Sequence, residues 1–153
     1  LVVNSYDEAR KAVRYLVRLG YDRIAGYLDG SLEEWETTGR KYGQIPSVYA
    51  GDIQDRLKNG YVLLDVREIG EWKAGHLQDA VHIYVGELPE RLNDVPRDRP
   101  IITFCGSGRR AIIAASILKQ NGFEEVENCL GSMAACKNVG CDIVVPAETS
   151  SSP

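Results

Sequence analysis

Short apolar runs alternate along this chain with segments in which apolar residues recur every three or four positions. The runs predict strands and the segments predict amphipathic helices. The clearest strands are Tyr61–Asp65 and Ile101–Phe104. The clearest helix is Arg109–Gln120, which Asn121-Gly122 should end. Because strands and helices alternate, the pattern predicts an α/β fold with a parallel sheet and helices on its faces.

The weaker elements follow the same alternation and fall into two series. Further strands are predicted at Leu1–Val3, Arg23–Tyr27, Ser47–Ala50, Val81–Ile83 and Glu125–Asn128. Further helices are predicted at Asp7–Leu19, Ser31–Thr38, Asp52–Lys58, Glu68–Lys73, Glu87–Asn93 and Ser132–Val139. The polar stretch 41–46 predicts a linker between a first unit at 1–40 and a second at 47–145. The serine-rich stretch 146–153 is predicted to be a flexible tail.

The two units share a partial internal repeat. The matching segments are Gly20–Ile24 with Gly122–Val126, and Gly30–Trp35 with Gly131–Cys136. On the same alignment Val3 falls opposite Cys105 and Glu8 opposite Arg110. The first unit is therefore expected to be the back half of a related unit without the thiol or its neighbouring positive charge. Because the chain has no initiator methionine and opens on an apolar run, we expect it to be a fragment of a longer protein.

A cysteine stands where the central strand is predicted to turn into a helix. The turn reads Cys105-Gly106-Ser107-Gly108-Arg109-Arg110. Backbone N–H groups at such a turn build a pocket for an anion, while glycines let the loop curl inward and arginines add positive charge. A cysteine in this position should ionise easily, and its thiolate is the nucleophilic form. The alternative is a buried structural thiol.

Charge and hydropathy narrow the classes of function. The chain has 153 residues and a formal net charge of −4, so it carries no overall basic footprint for nucleic acid. No apolar stretch approaches the roughly 20 residues that cross a bilayer. We therefore expect no nucleic-acid partner and no membrane partner. With no secretory signal pattern in the sequence, a cytoplasmic location is expected.

Three further cysteines, Cys129, Cys136 and Cys141, follow the loop with spacings Cys-x6-Cys and Cys-x4-Cys. Zinc sites typically contain a Cys-x-x-Cys pair or nearby histidines, which these cysteines lack. A disulfide framework is not expected in a chain of this size that can build an apolar core. All three are expected to be free thiols, buried or partly buried, and no metal is expected.

A second motif precedes the cysteine loop, in the stretch Leu64–Leu77. Its characteristic residues are Asp65, Arg67, Glu71, Trp72, Gly75, His76 and Leu77. Together with the loop headed by Cys105, they resemble the rhodanese family of sulfurtransferases, and the resemblance covers Ser47–Val145. It implies a parallel five-stranded sheet flanked by helices. Asp79 stands where the family usually has a glycine, and Cys136 where it usually has a tryptophan, which affects local packing rather than chemistry.

The resemblance implies a two-step sulfur transfer that uses no cofactor. The Cys105 thiolate would take the outer sulfur of thiosulfate or a persulfide and become a cysteine persulfide. The persulfide would then pass this sulfur to cyanide, glutathione or another thiol. Both sulfur anions need several N–H donors and a positive field, which the loop amides and the helix start can supply. The loop residues expected to bind substrate are Gly106, Ser107, Gly108, Arg109 and Arg110.

The length of the loop argues against the main rival chemistry. Cysteine-based phosphatases and related arsenate reductases place an arginine six positions after the cysteine, where it clamps a tetrahedral oxyanion. In this chain Arg110 stands five positions after Cys105, and Ala111 takes the sixth. A displaced clamp loses its bidentate geometry, so phosphatase activity is disfavoured.

The loop pattern Cys-x-Ser-Gly-x-Arg resembles rhodanese domains fused to persulfide dioxygenases of the metallo-β-lactamase fold. Some of those fusions carry a degenerate rhodanese unit before the active one, which fits the layout of this chain. The dioxygenase motif His-x-His-x-Asp-His is absent from the sequence, whose histidines are His76 and His82. The expected partners are an upstream domain of that fold and, because a truncated unit leaves apolar surface uncovered, a second copy of the chain. A non-catalytic sulfur-relay or docking module is the alternative function.

Other residues near the loop are expected to support it rather than react. Asp65 ends a buried strand, where a charge survives mainly when it is paired. Asp65, Arg67 and His76 are thus predicted to be structural, and the alternative is a catalytic role, with His76 as a general base. Arg110 is predicted to organise the loop, whereas Arg109 is predicted to face solvent or substrate.

Overall fold

The computed structural model of the protein describes residues 1–29, 32–39 and 41–145. The chain divides into two compact units between residues 43 and 44, inside the stretch predicted to be a linker. Within the described residues, no helix is long and apolar enough to cross a membrane. The stretch 146–153 lies outside the described residues, so its assignment as a tail stays a prediction.

The first unit contains a parallel strand pair joined by a helix. Its elements are β1 (Val2–Val3), α1 (Tyr6–Arg18), β2 (Leu28–Asp29) and α2 (Leu32–Thr37). Helix α1 begins after Ser5, whose Oγ accepts the backbone N–H of Glu8 at 3.3 Å and so caps the helix. Strands β1 and β2 pair in parallel, as a strand–helix–strand unit requires.

The strand predicted at Arg23–Tyr27 is wrong, because pairing with β1 takes place at the next two residues along the chain. The turn at Gly20, with a φ of 84°, sets where the chain heads back after α1, and apolar alternation cannot show that path. Of the helix predicted at Ser31–Thr38, Ser31 lies outside the described residues.

The second unit is built around a five-stranded parallel sheet. The strands of the whole unit, including two outside this sheet, are β3 (Ser47–Tyr49), β4 (Val62–Asp65), β5 (His76–Leu77), β6 (Val81–His82), β7 (Ile101–Phe104), β8 (Val126–Leu130) and β9 (Ile143–Val144). Its helices are α3 (Ile53–Lys58), α4 (Ile69–Lys73), α5 (Arg109–Gln120) and α6 (Ser132–Val139). The sheet has the order β3–β8–β7–β4–β6, and every neighbouring pair is parallel, which confirms the predicted architecture.

The central strand β7 is buried along its whole length and carries the cysteine loop at its end. Its side chains alternate between the two faces of the sheet. Ile101 and Cys105 join the apolar cluster beneath α5, whereas Ile102 and Phe104 join the cluster beneath α3 and α6. Because all five strands are parallel, the loops that follow them converge at one edge of the sheet, where α/β proteins place their sites.

The helix predicted at Glu87–Asn93 is wrong. The chain forms successive turns over residues 85–90 and a short 3-10 helix at Leu92–Asp94. Pro89 is the third of the seven residues of the predicted helix, and proline disfavours the helical conformation of the residue before it, here Leu88. Leu88 nevertheless packs in the core, so the apolar residues of the segment find burial without a regular helix.

A short antiparallel pair, β5 with β9, lies apart from the main sheet and was not predicted. Strands of two residues give too little alternation to be read from sequence. Between β5 and β6, Asp79 has a φ of 61°, in the left-handed region that glycine occupies without strain. This explains why a glycine is usual at that position, and aspartate is among the residues that tolerate the region best.

The cysteines after the loop differ from the expectation in one respect. Cys129 is a free, buried thiol, as predicted. Cys136 and Cys141 are joined in a disulfide, so the prediction that both are free thiols is wrong. The turn at the end of α6 brings the two together, and sequence spacing alone gave no indication of that turn.

Candidate active site

Cys105 lies at the carboxyl end of the central strand, where β7 passes into the loop that leads to α5. Its residue surface is 1% exposed, so the thiol sits beneath its own loop. The Cys105 backbone is also fully engaged, because its N–H donates to Ser132 Oγ at 3.1 Å and its carbonyl accepts the Met133 N–H at 3.0 Å. The nucleophile is thereby fixed between the strand and the start of α6.

Backbone N–H groups surround the Cys105 sulfur. Burial by itself would raise the pKa of the thiol, but hydrogen bonds from the N–H groups of Ala111, Ser107, Gly108 and Arg110 outweigh it and lower the pKa. The Gly108 N–H donates to Sγ at 3.1 Å. Ala111 lies one position beyond the amides predicted from the sequence, because the first turn of α5 also points at the sulfur.

We expect Cys105 to react with iodoacetamide with a midpoint pH below about 8.5, the ordinary value for a cysteine thiol. The reason is its lowered pKa, since the thiolate is the reacting form and its fraction rises as pH passes upward through that pKa. The measurement is the alkylation rate of each cysteine peptide, followed by mass spectrometry across a pH series. Cys129 is the internal control, because burial raises the pKa of its thiol to about 11. A Cys105 midpoint at or above the ordinary value would contradict the prediction.

Gly108 makes the curled loop possible. It has a φ of 96°, and a Cβ at this position would lie 3.2 Å from the Cys129 carbonyl oxygen. The loop thus packs directly on the end of β8, with no room for a side chain between them. Only glycine combines that backbone conformation with that close approach.

We expect Gly108→Ala to raise the pKa of Cys105 and to lower the free energy of unfolding by about 1–3 kcal/mol. The added Cβ strains a left-handed residue and displaces the N–H that now binds Sγ at 3.1 Å. Iodoacetamide titration and urea unfolding measure the two effects. Gly70→Ala is the matched control, because its Cβ would meet open space and its φ is not positive. An equal pKa of Cys105 and an equal free energy of unfolding in the two variants would show that Gly108 is not required for the loop.

Arg110 folds back over the loop and pairs with Glu71 of α4. Its Nη1 and Nη2 donate to the two carboxylate oxygens of Glu71 at 2.6 and 2.8 Å, a bidentate pair. Hydrogen bonding to Arg110 lowers the pKa of Glu71, and the pair raises that of Arg110. A Cβ on Gly106 would lie 3.3 Å from Arg110 Nη2, so the guanidinium rests against the loop. Arg110, which was predicted to organise the loop, thus lies against Gly106, and its pairing with Glu71 was not predicted.

Asp65 and Arg67 form a buried ion pair beneath the site. Arg67 Nε and Nη2 lie 2.8 and 2.5 Å from Asp65 Oδ2, and both residues are almost fully buried. The same guanidinium donates to the Gly75 carbonyl at 2.9 Å and to the Glu71 carbonyl at 3.3 Å. Arg67 thereby ties the end of β4 to Glu71 in the middle of α4 and to Gly75 just beyond its end, and so holds the helix that carries the partner of Arg110.

Both histidines stack on Trp72 of α4. The ring centroids of Trp72 and His76 are 3.5 Å apart, and those of Trp72 and His82 are 4.8 Å apart. His76 Nδ1 donates to the Trp72 carbonyl at 3.1 Å, and His82 Nε2 donates to the Arg67 carbonyl at 2.8 Å. His76 is thus held by stacking on Trp72 and by a hydrogen bond to its carbonyl, and its backbone pairs with Val144 of β9.

Ser132 is a site residue that the sequence reading missed. It is fully buried, and its Oγ accepts the Cys105 N–H while donating to the Cys129 carbonyl at 2.9 Å. The Ala134 N–H adds a bond to the Gly106 carbonyl at 3.0 Å. The start of α6 therefore braces the loop from below. The repeat that matches Gly131-Ser132 with Gly30-Ser31 was the available signal, and Gly30 and Ser31 lie outside the described residues.

The mouth of the site is polar and charged. Ser107 and Arg109 are exposed, whereas Gly108 is buried. A separate cavity of about 530 Å³ opens beside the start of α4, and residues of the cysteine loop do not line it. Its lining residues are Glu68, Ile69, His82, Tyr84, Glu87 and Arg91. Within the part of the chain that the structure describes, no group of three or more His, Cys, Asp or Glu side chains is placed to hold a metal ion.

A buried thiol whose pKa is lowered by backbone N–H groups, at the carboxyl end of a central parallel strand, defines a cysteine-loop domain of the α/β class. Residues 49–138 match the family model of the rhodanese-like domain, which is more than half of the chain. The chain therefore belongs to the rhodanese-like domain family, as the motifs around Asp65 and Cys105 implied.

Known relatives agree with this assignment. The chain is 41% identical over 71 residues to the Bacillus subtilis protein named "Putative sulfur carrier protein YrkF", a match that spans 46% of this chain and 38% of that protein. It is 33% identical over 85 residues to a sulfurtransferase of Allochromatium vinosum, which covers 56% of this chain and 79% of that protein. A rhodanese-related protein of Thermoplasma volcanium has a similar structure, with a TM-score of 0.62 and 28% identity over 66% of this chain and 99% of that chain.

Proposed function

We propose that the chain is a sulfurtransferase that carries a sulfane sulfur on Cys105 as a persulfide. The observation that supports this most directly is the Gly108 N–H bound to the buried Cys105 sulfur at 3.1 Å. Further N–H groups and the start of α5 stabilise a negative sulfur at the same point. The relatives named as a sulfurtransferase and a sulfur carrier protein favour the same chemistry.

The proposed donor is thiosulfate or a persulfide. The Cys105 thiolate attacks the outer sulfur of thiosulfate, a new S–S bond forms at Cys105, the S–S bond of the donor breaks, and sulfite leaves. With an organic persulfide the leaving group is a thiolate. An acceptor thiolate or cyanide then attacks the outer sulfur of the Cys105 persulfide, and the Cys105 thiolate leaves. Each step exchanges one bond to sulfur for another, so the cycle needs no external oxidant.

The loop residues divide the binding of the donor among them. The amides of Ser107, Gly108 and Arg110 hold the sulfur anion, as the pKa of Cys105 indicates. The exposed Arg109 is placed to meet the anionic end of a donor such as thiosulfate. Arg110, braced by Glu71, adds positive charge next to Gly106.

Incubation with thiosulfate followed by intact-mass measurement tests the proposal. The protein should gain the mass of one sulfur atom, and peptide mapping should place it on the peptide that contains Cys105. Addition of cyanide should remove the extra mass and yield thiocyanate. Absence of the adduct, or an adduct on the peptide that contains Cys129, would contradict the proposal.

The second candidate is a sulfur-relay or docking module that serves a partner, including a fused upstream domain of the metallo-β-lactamase fold. The relative named as a sulfur carrier protein favours it. Turnover with free cyanide or glutathione separates the two functions. Strong turnover without a partner supports the enzyme, and slow turnover that a partner accelerates supports the relay. The cytoplasmic location stays a prediction.

We further propose that the first unit is the back half of a degenerate rhodanese unit. Its order β1–α1–β2–α2 repeats the order β7–α5–β8–α6. The repeat aligns Val2 with Phe104 and, counted back from the match of Gly30 with Gly131, Leu28 with Cys129. Val2 pairs with Leu28 in the first unit. In the second unit, Phe104 and Cys129 directly follow the last β7–β8 pair, Thr103 with Asn128.

The apolar surface of the first unit supports association with a partner domain or a second copy. Val2, Tyr6, Tyr15 and Leu19 are each at least 60% exposed, which is unusual for large apolar side chains on one small unit. We therefore propose a homodimer as a second form of association, in addition to the association with an upstream domain. Light scattering of the purified chain distinguishes a dimer from a monomer.

A further inference from the structure

The Cys136–Cys141 disulfide closes a turn that backbone hydrogen bonds also stabilise. Helix α6 ends at Gly140, which has a φ of 77°, and the N–H groups of Gly140 and Cys141 both donate to the Cys136 carbonyl, at 3.0 and 3.1 Å. The two Cα atoms are 5.0 Å apart, within the usual range of a disulfide. These hydrogen bonds restrain the same turn as the S–S bond, so two thiols formed by reduction would stay close enough to form the bond again.

The two sulfurs differ in access. Cys136 is completely buried in the cluster beneath α3 and α6, whereas Cys141 is half-buried. Cys105 belongs to the cluster on the opposite face of the sheet, so the pair is separate from the proposed nucleophile. Cys141 is therefore the sulfur that a small reagent meets first, and Cys136 is the partner that completes the exchange.

The pair joins the two supports of the cysteine loop. On one side, the start of α6 binds the loop, through the Met133 and Ala134 N–H groups that donate to the Cys105 and Gly106 carbonyls at 3.0 Å each. On the other side, the residues just after Cys141 form β9, which pairs with β5.

Strand β9 also contacts the segment that holds Arg67. A Cβ on Gly75 would lie 3.0 Å from Ile143 Cγ2, and the Gly75 carbonyl accepts from Arg67 at 2.9 Å. The disulfide thus fixes α6, which supports Cys105, to β9, which contacts Gly75 at the point where Arg67 binds it.

We propose that Cys136 and Cys141 form a redox-active site that exchanges with low-molecular-weight disulfides and stiffens the support of the Cys105 loop when oxidised. The Cys141 thiolate attacks a disulfide RSSR, forming a mixed disulfide and releasing RS⁻. The Cys136 thiolate then attacks Cys141 Sγ and releases the second RS⁻. One RSSR is reduced to two thiols while the protein dithiol becomes a disulfide. The proposed effect of this disulfide on sulfur transfer depends on the sulfurtransferase function proposed above. The redox reaction of Cys136 and Cys141 does not depend on it.

Equilibration with glutathione and glutathione disulfide, followed by acid quench and alkylation, tests the site. The Cys105→Ser chain is used, so that the pair titrates without the proposed nucleophile. Trypsin cleaves after Lys137, so a Cys136–Cys141 bond links two peptides. We expect this linkage under oxidising conditions, its loss in Cys141→Ser and Cys136→Ala, and its retention in Cys129→Ala. Alkylation of both cysteines at high glutathione disulfide, or a linkage that requires Cys129, would overturn the proposal.

Hydrogen exchange tests the link to the loop. The bond closes a loop with a sequence separation of 5. We expect reduction to speed exchange of the Met133 and Ala134 amides by about tenfold, because the cross-link restrains open states of α6. Helix α5 is the internal control and should keep its exchange rate. Equal exchange of residues 133 and 134 in the two forms would overturn the coupling.

A transfer assay separates this proposal from the function on which its last step rests. With the wild-type chain, oxidised protein should transfer sulfur faster than protein that was reduced and then freed of reductant. Equal rates would overturn the regulatory effect. Failure of both forms to transfer sulfur would overturn the proposed function instead, while the glutathione titration of the Cys105→Ser chain decides the redox site by itself.

Discussion

Replacing Cys105 with serine should abolish sulfur loading and lower sulfur transfer at least about a thousandfold. A serine hydroxyl stays protonated at neutral pH and is a poor nucleophile toward sulfur, so the first bond to the donor sulfur does not form. The N–H groups that lower the pKa of Cys105 cannot compensate, because they stabilise an anion that serine does not provide. Thiocyanate production from thiosulfate and cyanide measures the loss, and intact mass shows whether any sulfur is retained.

Two controls separate chemistry from folding. Serine keeps an acceptor for the Gly108 N–H, so Cys105→Ser should unfold at a urea concentration close to that of the wild type. Cys129→Ala removes the other free thiol, which is buried, and should keep transfer. Transfer by Cys105→Ser within tenfold of the wild type would remove Cys105 from the proposed mechanism.

Arg67→Met should lower the free energy of unfolding by about 3–5 kcal/mol, because it leaves a buried carboxylate without its partner. Asp65 is completely buried, and the side-chain bonds that balance its charge come from Arg67. The loss also frees the carbonyls of Gly75 and Glu71, which Arg67 now binds. Urea unfolding followed by circular dichroism measures the change.

Arg91→Met is the matched control for this variant. Arg91 also forms ion pairs, with Glu87 and Asp94, but its side chain is 43% exposed, so solvent screens the pairs and its loss should cost far less stability than the loss of Arg67. Adding Asp65→Asn to Arg67→Met should restore part of the stability, since the amide is neutral and keeps an oxygen for the backbone N–H of residue 67. Equal losses for Arg67→Met and Arg91→Met would show that burial of the pair does not decide its contribution.

The strongest elements could be predicted from local pattern alone. Strand β7 and helices α5 and α6 have the predicted bounds, Ile101–Phe104, Arg109–Gln120 and Ser132–Val139. Each has a clear apolar pattern and, for the helices, a glycine just beyond the end. The segment Glu87–Asn93 differs, because its apolar spacing predicted a helix although Pro89 disfavours the helical conformation of Leu88.

The features that the sequence did not reveal depend on contacts between distant residues. Glu71 and Arg110 are 39 positions apart, and the Cys105 N–H meets Ser132 at a separation of 27. Neither local propensity nor periodicity contains such distances. The Cys136–Cys141 bond is local, but it depends on the left-handed turn at Gly140, and spacing alone did not predict its closure. The nucleophile was identifiable because its chemistry lies within one short loop.

Cys105 is only 1% exposed, so a sulfur donor can react with it only if the transferred atom reaches the buried Cys105 sulfur. A donor must deliver its sulfur as a slender terminal atom, which thiosulfate and hydropersulfides have and which a disulfide with two bulky substituents lacks. Once Cys105 is loaded, the outer sulfur lies about 2 Å further along the S–S bond, closer to the mouth. Transfer of sulfur from the donor to Cys105 is then restricted by the size of the donor, whereas transfer from the persulfide to the acceptor is less restricted. Bulky acceptors can therefore react at a site that excludes bulky donors.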